Sequence, residues 1–138
     1  MHRINLKGPW EFQPLIASPA TPSVELPGRG TVKFPAVWQD FLGDFRGRIR
    51  FLRPFNQPTN LDAHERVELV LAGLGGAAVI RLNQQAVGVI SNSEHTGRFD
   101  ITALLQPHNL LEIDVDWSGM STERGGLWAP VALEIVTI

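Results

Sequence analysis

Residues 66–117 read RVELVLAGLGGAAVIRLNQQAVGVISNSEHTGRFDITALLQPHNLLEIDVDW. Three apolar runs in this stretch, 67–71, 78–82 and 87–90, are too short for helices and are separated by glycine and asparagine. Its last part alternates apolar and acidic residues: Leu111, Glu112, Ile113, Asp114, Val115, Asp116, Trp117. Such alternation is typical of an antiparallel strand with one buried face and one wet face. The stretch therefore predicts a sheet.

The same period of two continues on both sides of this stretch. In residues 47–54, Ile49 and Phe51 point one way and the intervening arginines the other, and Pro54 is expected to end the ladder. Trp10 and Phe12 are expected to share one buried face after a turn at Gly8-Pro9. Val131, Leu133 and Ile135 predict the last strand.

The remaining segments are expected to be irregular. Residues 14–35 carry five prolines, with 24–26 as a possible edge strand, and residues 34–45 are interpreted as an aromatic-rich loop. Asp100 is a plausible N-cap for a single helical turn over 101–105, because its carboxylate can accept hydrogen bonds from free backbone amides. No segment shows a 3.6-residue apolar period beyond one or two turns.

Seven to nine short strands at close spacing indicate an all-β protein, an antiparallel β-sandwich or jelly roll. The length of 138 residues fits one domain, 1–138. Hydrophobic content of 43% allows a core of useful size.

Charge and composition exclude several classes of function. A net charge of -2 and a pI of ≈ 6.0 argue against nucleic acid as a partner. The local basic cluster Arg46, Arg48, Arg50 and Arg53 is interpreted mainly as a solvated outer strand face, shared by the first three. The chain has no cysteine, no signal-peptide pattern and no apolar run long enough to span a bilayer. We therefore expect no membrane association and a cytoplasmic location.

Two motifs that suggest cofactors do not have the necessary context. Residues 73–78 match the dinucleotide pattern G-x-G-x-x-G/A, but the β-branched segment 79–83 follows them where a helix N-terminus would be needed. The glycines are therefore interpreted as a tight connection between strands. The four histidines never fall at metal-ligand spacing, so no transition-metal site and no cofactor is expected. A stabilising Ca²⁺ ion remains open because of the acidic pairs.

Two catalytic arrangements are equally weak. Ser93 and His95 lie near Asp100 in the sequence, but the nucleophile-elbow pattern of a catalytic triad is missing. The acids of strand 111–117 could form a glycosidase pair, yet side by side on a strand face they are more often solubilising charge. We expect no catalytic residue in this chain.

Aromatic and polar loop residues form the one candidate binding site. The candidate sugar-binding residues are Trp38, Gln39, Asp40, Glu123, Arg124 and Trp128. Aromatic faces with nearby polar groups suit the apolar faces and hydroxyls of sugars. The alternative interpretation is that Trp38 and Trp128 only cover the ends of the core. Under either interpretation, any site is expected in these loops and outside 66–117.

Six segments in order resemble a known family. They are INLKGPWEF (4–12), FPAVWQ (34–39), residues 45–55, VIRLN with VG (79–88), FDIT with LL (99–105) and GGLWAPV (125–131). Together they are similar to the N-terminal sugar-binding domain of glycoside hydrolase family 2, the β-galactosidase, β-glucuronidase and β-mannosidase group. The resemblance covers almost the whole chain and implies a galactose-binding-domain-like jelly roll.

Three positions depart from the family pattern. Gln84 replaces the usual turn glycine, so the hairpin turn is expected to differ from a simple Asn-Gly type. Ala129 replaces an arginine that the resemblance places near the catalytic domain. Met120 stands where some members have an active-site acid. A role in contacting the substrate of a hydrolase is therefore in doubt.

The resemblance leads to two functional hypotheses. Catalysis in the family uses two glutamates of a (β/α)₈ barrel of roughly 250 residues, which this sequence does not contain. The first hypothesis is a non-enzymatic carbohydrate-binding or accessory module. The second is a structural or interaction module that docks on a separate hydrolase subunit or forms a homodimer. Sugar titration and measurement of the oligomeric state would separate them.

Overall fold

Ten strands and two short helical segments make up the part of the chain that the computed structural model describes, residues 2–17, 27–119 and 123–138. The strands are β1 (His2–Asn5), β2 (Trp10–Ala17), β3 (Gly30–Val32), β4 (Gly47–Asn56), β5 (Glu65–Leu71), β6 (Ala77–Leu82), β7 (Gln85–Ile90), β8 (Gly97–Asp100), β9 (His108–Trp117) and β10 (Val131–Thr137). The helix α1 (Trp38–Leu42) precedes β4, and a 3-10 turn (Thr102–Leu104) precedes β9. More strands form than the seven to nine predicted, because strands of three or four residues carry too little alternation to be recognised.

The strands form two antiparallel sheets. One has four strands in the order β1-β10-β5-β8, and the other has six in the order β3-β2-β4-β9-β6-β7. Strand β9 pairs along its whole length with β4, from Gly47 opposite Trp117 to Asn56 opposite His108. On its other side β9 pairs with β6. The predicted all-β antiparallel sandwich with jelly-roll topology is confirmed.

The core lies between the sheets, and the alternation in β9 decides which side chains enter it. Leu111, Ile113, Val115 and Trp117 are all at most 2% exposed. Burial of each large apolar side chain contributes roughly 1.5–3 kcal/mol. Rings from β2, β4 and the segment around α1 fill the centre with edge-on contacts. They are Trp10, Phe34, Trp38, Phe41 and Phe51.

The arginines on the outer face of the six-stranded sheet were expected to be solvated independently. Instead, they pair with acidic side chains on the neighbouring strand. Arg50 of β4 donates to both oxygens of Asp114, at 2.9 and 3.0 Å. Arg81 of β6 donates to Glu112 at 2.9 Å and to Asp114 at 3.1 Å. The antiparallel register places Arg50 opposite Asp114 and Arg81 opposite Glu112, so the charges pair across strands.

Three local predictions were wrong. Pro54 lies inside β4, opposite Leu110; the β2 ladder ends at Leu52, so this part of β4 is paired on one side only, where proline is tolerated. The aromatic segment contains α1, a single turn too short to show a period.

No helix in the described part of the chain is long and apolar enough to cross a membrane.

The third error concerns the β6–β7 turn. Asn83 and Gln84 both have positive φ, 53° and 68°, as the two central residues of a type I′ turn require. Gln84 therefore adopts the left-handed conformation that glycine would occupy, and the turn type is unchanged.

Two smaller predictions concern Asp100 and the possible edge strand. Oδ1 of Asp100 accepts hydrogen bonds from the Oγ1 and the backbone N of Thr102, at 2.6 and 3.0 Å, and these bonds lower the pKa of the Asp100 carboxyl. The expected turn is thus present as the 3-10 segment, but it is shorter than 101–105 and its N-cap is Ile101, so Asp100 lies one residue before the cap position. The possible edge strand at 24–26 and the position of Met120 lie outside the described residues.

Candidate functional site

Small-ligand sites measure roughly 300–1,000 Å³, and the cleft at the α1 end of the sandwich measures ≈ 670 Å³. Four chain segments line it: 74–76 after β5, 92–95 after β7, 117–119 at the end of β9, and 123–128 before β10. Alternate connections of an antiparallel chain return to the same end, which is why these loops meet. The β3–β4 connection, which contains α1, lies directly behind them.

Backbone hydrogen bonds hold these loops together. Gly75 and Gly126 exchange two of them, at 2.9 and 3.0 Å. The amide of Leu74 donates to the carbonyl of His95 at 2.8 Å. A Cβ atom on Gly75 would lie only 2.0 Å from the carbonyl oxygen of Arg124, so the approach of the two loops requires glycine there. The walls of the cleft are therefore fixed by the main chain.

The cationic wall of the cleft is a stacked pair. The guanidinium carbon of Arg124 lies 3.8 Å from the ring centroid of Trp128. Arg124 is exposed and Trp128 is half-buried. This cation–π contact holds the guanidinium over the ring, and a guanidinium in such a contact can still donate its N–H groups to ligand oxygens.

The segment 91–95 contributes the polar side chains of Asn92 and His95 to the cleft lining. Nδ1 of His95 lies 3.2 Å from the carbonyl oxygen of Leu74. Because a carbonyl only accepts, this contact places the proton on Nδ1 and leaves Nε2 without a role in that bond. Glu94 accepts from the backbone N and the Oγ of Ser91, at 3.1 and 2.9 Å, and these bonds lower the Glu94 pKa. The turn that carries His95 is thereby ordered.

Two of the predicted site residues support the cleft from behind. Trp38 is fully buried, donates from Nε1 to the carbonyl of Phe45 at 2.7 Å, and stacks on Phe45. Its ring therefore has no exposed face to offer a sugar, in agreement with the alternative interpretation of a core tryptophan. Gln39 donates from Nε2 to the carbonyl of Glu123 at 2.5 Å and accepts from the amide of Gly125 at 3.3 Å.

The other predicted residues divide into two groups. Glu123, Arg124 and Trp128 line the cleft, whereas Asp40 is exposed on α1 and does not line it. The expectation that any site lies outside 66–117 was wrong for this cleft, because six lining residues fall inside that stretch, among them the polar side chains of Asn92 and His95. They could have been found from the rule that alternate connections of an antiparallel chain return to the same end of the sandwich, which places 91–96 beside 123–128.

Among the described residues, no group of three or more histidine, aspartate or glutamate side chains is placed to hold a metal ion.

Comparison with solved structures shows the same fold in large enzymes. An FMN-binding β-glucuronidase from Faecalibacterium prausnitzii L2-6 matches with a TM-score of 0.78 and 22% identity, over 99% of this chain and 22% of that one. A putative β-galactosidase from Bacteroides fragilis gives 0.74 and 18%, over 99% and 23%. A Bifidobacterium dentium β-glucuronidase gives 0.75 and 21%, over 98% and 30%. The chain thus spans less than a third of these enzymes.

Comparison at the level of sequence gives a match to a family model. No curated protein sequence gives a significant match. The model of the glycosyl hydrolase 2 galactose-binding domain-like family matches residues 48–124, more than half of the chain. This range runs from β4 to the loop that carries Arg124, and the match concerns the non-catalytic domain of such enzymes. The chain belongs to the glycosyl hydrolase 2 galactose-binding domain-like family.

Proposed function

We propose that this chain is a non-catalytic carbohydrate-binding module, and that sugar binds in the cleft between the 74–76, 92–95, 117–119 and 123–128 segments. The observation that carries the proposal is the convergence of Arg124, Trp128, His95 and Asn92 on one cleft of ≈ 670 Å³. This volume suits a mono- or disaccharide, since small-ligand pockets measure roughly 300–1,000 Å³.

The chemistry of the lining supports a ligand with many hydroxyl groups. A sugar hydroxyl both donates and accepts, so a site for it needs both functions. The guanidinium of Arg124 only donates, and the carboxylate of Glu123 only accepts. The amide of Asn92 does both. Backbone hydrogen bonds between the cleft loops reduce the entropy lost when the loops are ordered by a ligand. A sugar can therefore bind with useful affinity through few contacts.

Calorimetric titration with a panel of mono- and disaccharides tests the proposal. Arg124→Gln and Trp128→Ala are expected to weaken binding of the recognised sugar by about tenfold or more, because each removes a wall of the cleft. Arg3→Gln is the matched control: Arg3 is 44% exposed, pairs with Glu134 on the four-stranded sheet, and does not line the cleft. If the parent chain binds none of the sugars, the proposal fails.

A second candidate function is docking on a separate catalytic subunit or on a second copy. It is supported by the coverage above, since the matched enzymes carry this fold as less than a third of a longer chain. Size-exclusion chromatography with light scattering discriminates the two. A stable dimer, or a complex with a hydrolase subunit, without sugar affinity favours docking.

A further inference from the structure

The second site begins with an arginine on the inner face of a strand. The register of β4 with β9 is continuous, so alternation places Arg53 on the same face as Phe51 and Phe55. Phe51 is 0% and Phe55 9% exposed, and Leu111, opposite Arg53, is fully buried. Arg53 therefore extends between the two sheets, unlike Arg48 and Arg50, which lie on the outer face.

The guanidinium of Arg53 has a buried donor without an acceptor. Its Nη1 donates to the carbonyl of Pro54, whereas its Nε is buried and, within 2–17, 27–119 and 123–138, has no hydrogen-bond partner. Among the described residues, no carboxylate forms a salt bridge with it, although Arg48, Arg50, Arg81 and Arg98 each have one. An unsatisfied buried donor is rare in proteins and points to a missing acceptor.

The surroundings of Arg53 form an open cleft of ≈ 410 Å³ at the edge of the sandwich. The ladder between β2 and β4 ends at Leu52, which leaves the gap between the sheets open beyond it. Ile4 and Leu133, cross-strand partners in the facing sheet, give this cleft an apolar wall together with Phe55. The amides of Asn5 and Asn56 complete the lining.

We propose that this edge cleft is a second binding site, which takes a carboxylate attached to an apolar body. The Nε edge of a guanidinium carries parallel donors that match the two oxygens of a carboxylate, and a rotation of the Arg53 side chain on binding would bring its buried Nε into the cleft. The ligand's negative charge would compensate the single cation, and its carbon body would lie against Ile4, Phe55 and Leu133. This site does not depend on the sugar cleft at the α1 end.

Titration of the full chain with hexanoate, followed in ¹H–¹⁵N spectra of the arginine Nε–H groups, tests the proposal. The Arg53 signal, assigned from its loss in Arg53→Lys, is expected to shift and saturate at millimolar hexanoate. Hexanamide, which has the same shape without the charge, should leave it unshifted. Arg53→Gln should weaken binding about tenfold or more, since charged hydrogen bonds are lost. Arg3→Gln, on the outer face of β1, should bind as the parent does.

Thermal unfolding distinguishes a ligand-binding role from a structural one. If Arg53 is kept for a ligand, Arg53→Met removes an unpaired inward charge while keeping the apolar stem, and it should raise Tm by about 3 °C. A lower Tm in Arg53→Met, an unsaturable Arg53 shift, or an equal response to hexanamide would each overturn the proposal.

Discussion

Arg50 and Asp114 form a two-pronged ion pair across β4 and β9, with Nε to Oδ1 at 2.9 Å and Nη2 to Oδ2 at 3.0 Å. The side chain of Asp114 is only 11% exposed and also accepts from Arg81. Burial by itself would raise the pKa of Asp114, but the hydrogen bonds and charges of the two arginines outweigh it and the pKa is lowered. The pair is therefore formed by an ionised carboxylate.

Asp114→Asn is expected to lower the free energy of unfolding at pH 7 by about 1–2 kcal/mol, because two arginines lose a charged acceptor. Denaturant titration measures the change. Asp116→Asn is the matched control on the same face of β9: its carboxylate is 48% exposed and meets Arg48 at 3.3 Å. A change below about 0.5 kcal/mol is expected for that exposed pair. Equal losses in the two variants would contradict the assignment.

The pH dependence of the same pair has a definite sign. Asp114 has a lowered pKa in the folded chain, so its stabilisation is complete above the ordinary aspartate pKa of about 3.9 and is lost as pH falls through the lowered value. The stability gap between the parent and Asp114→Asn should stay constant from about pH 7 to 5 and shrink below about pH 4. Denaturant titrations across this range measure it, and a gap that widens at low pH would refute the pairing.

More of the fold than of this ion-pair network could be predicted from the sequence. Alternation in residues 47–54 and 111–117 indicates strands because every second side chain is apolar, and this requires no knowledge of neighbours. Which arginine meets which acid depends on register, here Gly47 opposite Trp117, and register cannot be obtained from one strand alone. The charged face could therefore be predicted from the sequence, whereas its ion pairs could not.

The candidate cleft was predictable only in part for a similar reason. Arg124 and Trp128 are close in sequence, and their loop was identified. Asn92 and His95 join them only through the return of the chain to the same end of the sandwich. Trp38 was a candidate because it is an aromatic residue beside polar loop residues. The packing of Phe45 and Trp117 around it makes it part of the core instead. Aromatic content in a loop does not reveal on which side of the surface a ring lies.

The β6–β7 turn offers a test of backbone strain. Gln84 has φ 68°, a left-handed conformation that costs a residue with a Cβ atom about 1–2 kcal/mol. Gln84→Gly should raise the free energy of unfolding by about 0.5–1 kcal/mol, after allowance for the greater freedom of glycine in the unfolded chain.

The neighbouring position gives the control for that substitution. Asn83 also has positive φ, but its Oδ1 accepts from the amide of Leu110 at 2.9 Å and its Nδ2 donates to Asn109 at 3.0 Å. Asn83→Gly should therefore lower stability where Gln84→Gly raises it. Thermal unfolding of both variants measures the contrast, and a shift of the same sign in both would rule out the strain argument.

Gln39 is expected to position the cleft without contacting the ligand. Its side chain joins α1 to the carbonyl of Glu123 and the amide of Gly125. Gln39→Ala should speed hydrogen exchange at the Gly125 amide and weaken sugar binding several-fold, because the loop that carries Arg124 loses its anchor. Asp40→Ala, one residue along the same helix and exposed, should change neither quantity. Unchanged exchange at Gly125 in Gln39→Ala would remove the positioning role.

Gly75 provides the sharpest test of the main-chain tie between the cleft loops. A Cβ at this position would lie 2.0 Å from the carbonyl oxygen of Arg124 and 2.9 Å from the Cα of Gly125, both backbone atoms that cannot rotate away. Gly75→Ala must therefore separate the loops, break the exchanged bonds with Gly126, and lower the free energy of unfolding by about 2–3 kcal/mol. Gly28→Ala is the control, since its Cβ would meet nothing within 4 Å. Denaturant titration compares the two variants. A Gly75→Ala chain as stable as Gly28→Ala would show that the loops are joined by side chains alone, and the rigid cleft on which the sugar proposal depends would lose its basis.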